Sequence, residues 1–215
     1  MALIRLSNIE KSFQDGEDRE NNVLRGINME VEKGEFIAIK GPSGSGKTTL
    51  LSILGTILRP DSGIYLLDGM EMTTDGIDLA TIRNSRIGFV FQDHRLMPQY
   101  TVLENILLPA LATASRCTRE EIEYAHQLME LTHISKLAGQ YPHTLSGGEA
   151  SRVAVCRALI RKPLLVLADE PTGQLDKENA RNIAVIERID KLIAGFSVHI
   201  PQWAVGFHCN SLAEK

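Results

Sequence analysis

Short apolar runs separated by polar turns open the chain and predict β-strands. The runs cover residues 3–8, 28–31 and Phe36–Lys40. Residues 14–22 are rich in Asp, Glu, Asn and Gly, a composition that favours a loop over a core segment. The N-terminal part of the chain is therefore predicted to be rich in β-structure.

From Gly41 onward the pattern changes to strand, glycine-rich loop and helix. Helical spacing predicts helices at residues 47–57, 147–160 and 177–193. The apolar run at residues 164–168 suits a buried parallel strand. Such alternation predicts an α/β fold with a mainly parallel core sheet.

The middle of the chain differs because apolar residues recur at helical spacing without an intervening strand. This pattern predicts a helical insertion at residues 92–144. Residues 1–91 and 145–200 are then expected to form the core, with the antiparallel β-part at its N-terminal end. Residues 201–215 are left as an atypical tail.

Composition narrows the possible functions. The chain has 215 residues, 43% hydrophobic and 23% charged, with a net charge of −4, so it lacks the basic surface that nucleic acids require. No run reaches the roughly 18 apolar residues that a membrane span needs, and the first residues carry charges where a signal peptide would be apolar. The three cysteines have no C-x-x-C spacing and indicate neither disulfides nor zinc. The expected location is the cytoplasm, without direct insertion into the membrane.

The segment from Gly41 to Thr48 fits the phosphate-binding pattern G-x-x-x-x-G-K-[ST] between a strand and a helix. Small residues allow backbone N–H groups to surround phosphates, and the helix dipole adds positive charge. Lys47 would contact the β- and γ-phosphates, and Thr48 would bind Mg²⁺. The candidate nucleotide-binding residues are Gly41, Pro42, Ser43, Gly44, Ser45, Gly46, Lys47, Thr48 and Thr49.

Two acids follow the apolar strand at residues 164–168 and complete the chemistry of a phosphate loop. Asp169 is expected to hold Mg²⁺, and Glu170 is expected to orient or deprotonate the attacking water. The alternative interpretation is an acidic cap of the following helix.

The segment Ser146, Gly147, Gly148 and Glu149 precedes a helical pattern, with Ser146 as a candidate N-cap. Together with the phosphate loop and the acidic strand end, this segment resembles the signature of ATP-binding-cassette (ABC) ATPases. The resemblance implies a homodimer in the ATP-bound state, in which each signature faces the γ-phosphate held by the partner copy.

Further positions match the family in the same order along the chain. The resemblance implies that Phe13 stacks on adenine, that Gln92 touches Mg²⁺ and water beside the contact with the membrane domain, and that Asp176 lies at the dimer interface. The implied ligands are ATP and Mg²⁺, the latter held by Thr48, Gln92 and Asp169. An exposed edge-strand aromatic and a helix cap remain the alternative interpretations of Phe13 and Asp176.

The residues around Gln92 and Asp169 resemble those of ATPases of the lipoprotein-releasing and macrolide-exporter type. The resemblance implies a subunit on the cytoplasmic face of the inner membrane that pairs with an integral membrane permease. The resemblance implies coupling of ATP hydrolysis to lipoprotein release or to export of peptides or drugs.

The C-terminal part departs from the family pattern. His199 is the nearest candidate for the family's switch histidine, but it lacks the neighbouring Thr and Asp. The leading hypothesis is an ATP-hydrolysing transporter subunit, and the second is an ATP-binding dimerisation module in which a defective switch region impairs hydrolysis. A GTPase is disfavoured because the guanine-reading Asn-Lys-x-Asp pattern is absent from the sequence.

Overall fold

The computed structural model describes residues 2–14, 20–169 and 205–210. The described helices and strands, in chain order, are β1 (Ile4–Gln14), β2 (Glu20–Val31), β3 (Phe36–Lys40), α1 (Lys47–Leu54), β4 (Ser62–Leu67), β5 (Met70–Glu71), α2 (Leu79–Arg86), β6 (Ile87–Val90), α3 (Val102–Leu111), α4 (Arg119–Leu131), α5 (Gly147–Leu159), β7 (Leu165–Asp169) and β8 (Val205–Asn210). Short 3-10 helices at Ser135–Leu137 and Pro142–Thr144 lie between α4 and α5. The fold is α/β, as the sequence predicts.

The first sheet is antiparallel and has the strand order β2-β1-β4-β5. Its β1–β2 pairing runs from Ile4 opposite Val31 to Gln14 opposite Glu20. The predicted loop at residues 14–22 is therefore wrong at both ends, since Gln14 and residues 20–22 belong to strands. Backbone pairing at an exposed end of a hairpin tolerates polar side chains, which conceals the strand from hydrophobic patterning.

The second sheet is parallel and has the strand order β3-β8-β7-β6. Strand β8 pairs with β3 on one side and with β7 on the other, with Gly206 opposite both Phe36 and Val166. Residues 205–210 therefore belong to the core sheet, although the sequence pattern predicts an atypical tail at residues 201–215. Hydrophobic patterning does not predict this strand, because it contains polar residues and a central parallel strand is usually a continuous apolar run.

Residues 92–144 contain helices α3 and α4 and no strand, so the helical spacing there is realised as helices. Each of these helices begins at a capping box, formed by Thr101 with Glu104 and by Thr118 with Glu121. Their buried faces pack with α5 and form one hydrophobic cluster. A second cluster joins α1 to the first sheet and to β7.

Two further predictions can be compared with the described elements. Helix α1 ends at Leu54, before the predicted end at residue 57, because Gly55 caps it. The predicted helix at residues 177–193 lies outside the described residues. Among the described helices, none is long and apolar enough to cross a bilayer.

Candidate nucleotide-binding site

The loop between β3 and α1 has the geometry of a phosphate cradle. Gly46 caps α1 with a φ of 86°, and Gly44 has a φ of 78°, both in the left-handed region. A Cβ on Gly46 would lie 2.9 Å from side-chain atoms of Val23 and Leu24. Because β2 packs so closely beneath the loop, only glycine fits there, and the first N–H groups of α1 have no side-chain cap.

Lys47 is the first residue of α1, and its side chain reaches back to the loop. Only 9% of its surface is exposed. Its ammonium donates hydrogen bonds to the carbonyl oxygens of Gly41 (2.9 Å) and Pro42 (2.8 Å). The positive charge is therefore held at the position that the loop surrounds. This is the arrangement that an anionic phosphate needs.

A cavity of 350 Å³ connects the loop to β1 and β2. Its lining comprises Phe13, Val23, Ser43, Gly44, Gly46, Lys47, Thr48 and Thr49. Pro42 and Ser45 form the turn behind it, in which the Ser45 N–H donates to the Pro42 carbonyl oxygen. Phe13, 43% exposed, thus lines the same cavity as the phosphate loop.

The Phe13 ring is supported from one side by a charged pair. The Lys11 ammonium lies 5.5 Å from the ring centroid and also binds the Asp61 carboxylate. The hydrogen bonds from Lys11 and from the Ser12 N–H lower the pKa of Asp61. The face of Phe13 away from Lys11 is the one that remains for a planar ligand.

The core sheet brings the remaining described candidates to one edge. Strands β3, β6 and β7 are parallel, so the phosphate loop and Gln92, which follow β3 and β6, lie at the same edge of the sheet as Asp169, the last residue of β7. This edge is where open α/β sheets bind ligands. Glu170, Asp176 and His199 lie outside the described residues.

The signature segment forms the N-terminus of α5. The Ser146 hydroxyl accepts from the Glu149 N–H (3.4 Å) and donates to the Glu149 carboxylate (2.7 Å), which also accepts from the Ser146 N–H (2.8 Å). Hydrogen bonds from the hydroxyl and N–H of Ser146 lower the pKa of Glu149. Apart from its chain neighbours and the backbone of its own helix, no heavy atom in the described part of the chain lies within 4 Å of the place where a Gly147 Cβ would be. Packing within the chain therefore does not require glycine at position 147.

The turn that follows Gln92 was not predicted from the sequence. His94 and Arg95 have φ values of 56° and 47°, and the Arg157 guanidinium on α5 donates to the carbonyl oxygens of both. No sequence pattern signals a contact across more than 60 residues between a loop and a helix.

Comparison with protein families places most of the chain in one of them. Residues 24–173 match the family model described as ABC transporter. This span includes the phosphate loop, the signature segment and the acidic end of β7.

Curated relatives agree with this match. The chain is 50% identical over 163 residues to the lipoprotein-releasing system ATP-binding protein LolD 1 of Rhodopirellula baltica, covering 75% of this chain and 71% of that protein. It is also 42% identical over 188 residues to the macrolide export ATP-binding/permease protein MacB of the same organism, covering 86% of this chain and 27% of that protein.

Among solved structures, the fold is similar to the ATP-binding cassette MJ0796 in a dimeric post-hydrolysis state bound to ADP and Pi. The TM-score is 0.80 at 33% identity, with 95% of this chain and 87% of that chain covered. The phosphate loop, the signature helix and these similarities lead to one conclusion. The chain belongs to the ABC transporter family, as an ATP-binding subunit with ATPase activity.

Proposed function

We propose that this chain is one half of an ATPase dimer in which two copies close head to tail around two ATP molecules and drive a membrane permease. The observation that supports the proposal is the presence of two separate anion-binding elements. Lys47 lines the cavity of the phosphate loop, whereas Ser146 and Gly147 are exposed and do not line that cavity. Because helix N-termini attract anions, a second copy can place its signature against the ATP of the first.

Within one copy, the cavity around the phosphate loop would hold the nucleotide. The β- and γ-phosphates would accept hydrogen bonds from Lys47 and from loop N–H groups, in place of water and of the contacts that Lys47 makes to Gly41 and Pro42. The adenine ring would stack on the face of Phe13 opposite Lys11. Both contacts use groups that the chain already holds in place.

The residues near the phosphate loop also suit Mg²⁺. Thr48, Gln92 and Asp169 offer a hydroxyl, an amide and a carboxylate oxygen, the hard oxygen ligands that Mg²⁺ prefers. Thr48 lines the cavity, Gln92 follows the carboxyl end of β6, and Asp169 is the last residue of β7. When bound, Mg²⁺ would neutralise charge on the β- and γ-phosphates.

The hydrolytic step would use residues that follow β7. In this proposal Glu170 orients and deprotonates the attacking water, Asp176 contacts the partner copy, and His199 contacts the γ-phosphate. The γ-phosphate would then be surrounded by groups from both copies, because the signature that faces it comes from the partner.

A groove beside the Gln92 turn would receive the permease. It has a volume of 260 Å³ and lies between α2, β6, α3 and α5. Its lining combines the stacked rings of Phe89 and Phe91, 4.3 Å apart, with the guanidinium of Arg83. The buried Asn84 Nδ2, another lining group, has no hydrogen-bond partner within the described part of the chain. An apolar cytoplasmic segment of the permease that offers a carbonyl or carboxylate oxygen would satisfy both features.

The work performed would be lipoprotein release. This assignment is supported by the 50% identity to the lipoprotein-releasing system ATP-binding protein LolD 1 of Rhodopirellula baltica. The subunit would reach the cytoplasmic face of the inner membrane through its permease.

The experiment that tests the ATPase dimer compares two glycine variants. Gly147 and Gly139 both have open space around a Cβ and neither has a left-handed φ, so Asp is tolerated at either position in one chain. Gly147→Asp places a carboxylate where the partner's γ-phosphate would lie, and Gly139→Asp is the matched control. We expect Gly147→Asp to lose at least about 100-fold in Mg-ATP hydrolysis because of charge repulsion, and the control to keep wild-type turnover.

The same samples should show that specific activity rises with protein concentration and that Glu170→Gln abolishes turnover while ATP still binds. Equal turnover in both aspartate variants would reject the head-to-tail dimer. Tight ATP binding without wild-type turnover at any protein concentration would favour the ATP-binding dimerisation module instead.

A further inference from the structure

The turn that follows Gln92 has an unusual backbone. His94 and Arg95 are successive non-glycine residues in the left-handed region, each of which costs about 1 to 2 kcal/mol for an L-amino acid. The Arg95 guanidinium lies 4.4 Å from the ring centroid of Phe91. This cation–π contact between nearby side chains stabilises the turn. A further contact must offset the rest of this cost.

Arg157 supplies that contact. Its Nη1 donates to the Arg95 carbonyl oxygen at 2.7 Å and its Nη2 donates to the His94 carbonyl oxygen at 2.5 Å. Both carbonyls point the same way because both residues are left-handed, and a planar guanidinium can bind such a pair with two parallel N–H groups. A lysine ammonium lacks this fixed two-pronged geometry.

The turn is bound to the helix that carries the signature segment. Arg157 belongs to the last turn of α5, and Gly147 begins the helix. Burial lowers the pKa of the His94 imidazole, and its buried Nδ1 has no hydrogen-bond partner among the described residues. The turn after Gln92 is therefore joined through Arg157 to the helix that begins at the signature segment.

We propose that Arg157 is a positioning residue that fixes the turn after Gln92 to the signature helix, so that Gln92 of one ATP site and the signature of the other move as one body. This inference rests on the ATPase function proposed above. It does not require Arg157 to touch the nucleotide. Loss of the contact would misplace Gln92 without weakening the phosphate loop.

The first test measures the turn without nucleotide. Trypsin cleaves after arginine, and Arg95 is exposed at the end of the constrained turn. Arg157→Lys should accelerate cleavage of the Arg95–Leu96 bond by roughly tenfold, because cleavage follows the population of the opened turn. The control is Arg119→Lys, which alters a 91% exposed arginine that pairs with Glu123 on α4.

The second test separates positioning from folding. Arg157→Lys should lower kcat for Mg-ATP about tenfold or more, while KM and Tm stay near wild type. The reason is that ATP binding is unchanged and only the geometry of the reacting groups is lost. Arg157→Met, which removes the charge, should lower kcat at least as far. Arg119→Lys should leave kcat, KM and Tm unchanged.

Three results would overturn the proposal. Unchanged cleavage after Arg95 in both Arg157 variants would mean that the contact does not hold the turn. Accelerated cleavage with wild-type kcat would mean that the turn does not position Gln92. A lower kcat together with a higher KM and a lower Tm would indicate a role in stability alone. Absence of turnover in the wild-type chain would instead reject the ATPase proposal, and the trypsin test of the turn would remain valid.

Discussion

The ammonium of Lys47 lies 2.8 Å from the carbonyl oxygen of Pro42, inside the loop that is to receive the phosphates. The loop thus holds its cation with its own backbone. Binding of a nucleotide then exchanges carbonyl contacts for phosphate contacts rather than ordering a mobile side chain, which reduces the entropy lost on binding.

Substitution of Lys47 tests this exchange. Lys47→Ala should weaken ATP binding by about 100-fold or more, because charge-assisted hydrogen bonds to phosphate disappear. The free energy of unfolding should fall by no more than about 1 kcal/mol, since water can reach the Pro42 carbonyl. Titration with a fluorescent ATP analogue and urea unfolding measure the two quantities. Lys136→Ala, at an exposed position, is the control, and equal affinity in the two variants would contradict the prediction.

Gly46→Ala should be costly for two reasons. Its φ of 86° is strained for alanine, and the new methyl would lie 2.9 Å from Val23 and Leu24 side-chain atoms. We expect a loss of roughly 2 to 4 kcal/mol in the free energy of unfolding, from backbone strain and overpacking together.

Gly44→Ala is the matched control for that measurement. Its φ of 78° is also left-handed, but apart from its chain neighbours no heavy atom of the described residues lies within 4 Å of the added methyl. The expected loss is about 1 to 2 kcal/mol, from strain alone. Urea unfolding of both variants gives the difference, and equal losses would show that close packing under the loop is unimportant.

Phe13→Ala should raise KM for ATP roughly tenfold, because base stacking on an aromatic ring contributes about 1 to 3 kcal/mol. The value of kcat should stay near wild type, since the ring lies at the mouth of the cavity and away from the reacting phosphate. Phe13→Trp should restore the low KM. Steady-state kinetics with ATP measures both constants, and a wild-type KM in Phe13→Ala would exclude adenine stacking there.

The stability of the signature helix should depend on pH through Glu149. Hydrogen bonds from Ser146 lower the pKa of Glu149 below its usual value of 4.5 in the folded chain. The carboxylate therefore stabilises the fold above pH 4.5, and its contribution is lost as the pH falls below that value through the folded pKa. Urea unfolding of wild type and Glu149→Gln should show a difference at pH 7 that shrinks toward acidic pH. A difference of the same size at pH 7 and at acidic pH would contradict the prediction.

The local elements near the candidate site were predictable because their signals are local. The glycines and Lys47 mark the phosphate loop, the residues from Ser146 to Glu149 form the predicted helix cap, and the apolar run before Asp169 becomes β7. Each signal depends on spacing over a few residues, which backbone geometry and capping fix directly.

Other parts of the molecule could not be read in this way. Strand β8 lies between β3 and β7 although its own residues give no clear strand pattern. The order of strands in a sheet depends on packing between distant segments, which no local pattern records. The contact of Arg157 with the turn at His94 and Arg95 is of the same kind.

The chemistry could be read from residue types and their spacing: a phosphate loop, a signature helix, an acidic strand end and the α/β fold that carries them. The tertiary structure alone placed Phe13 in the cavity of the phosphate loop, brought Gln92 and Asp169 to one edge of the sheet, and joined the Gln92 turn to α5 through Arg157. The reason is physical. Residue types and short spacings set which groups can bind phosphate, whereas the distances between those groups arise only when separate segments pack into a common core.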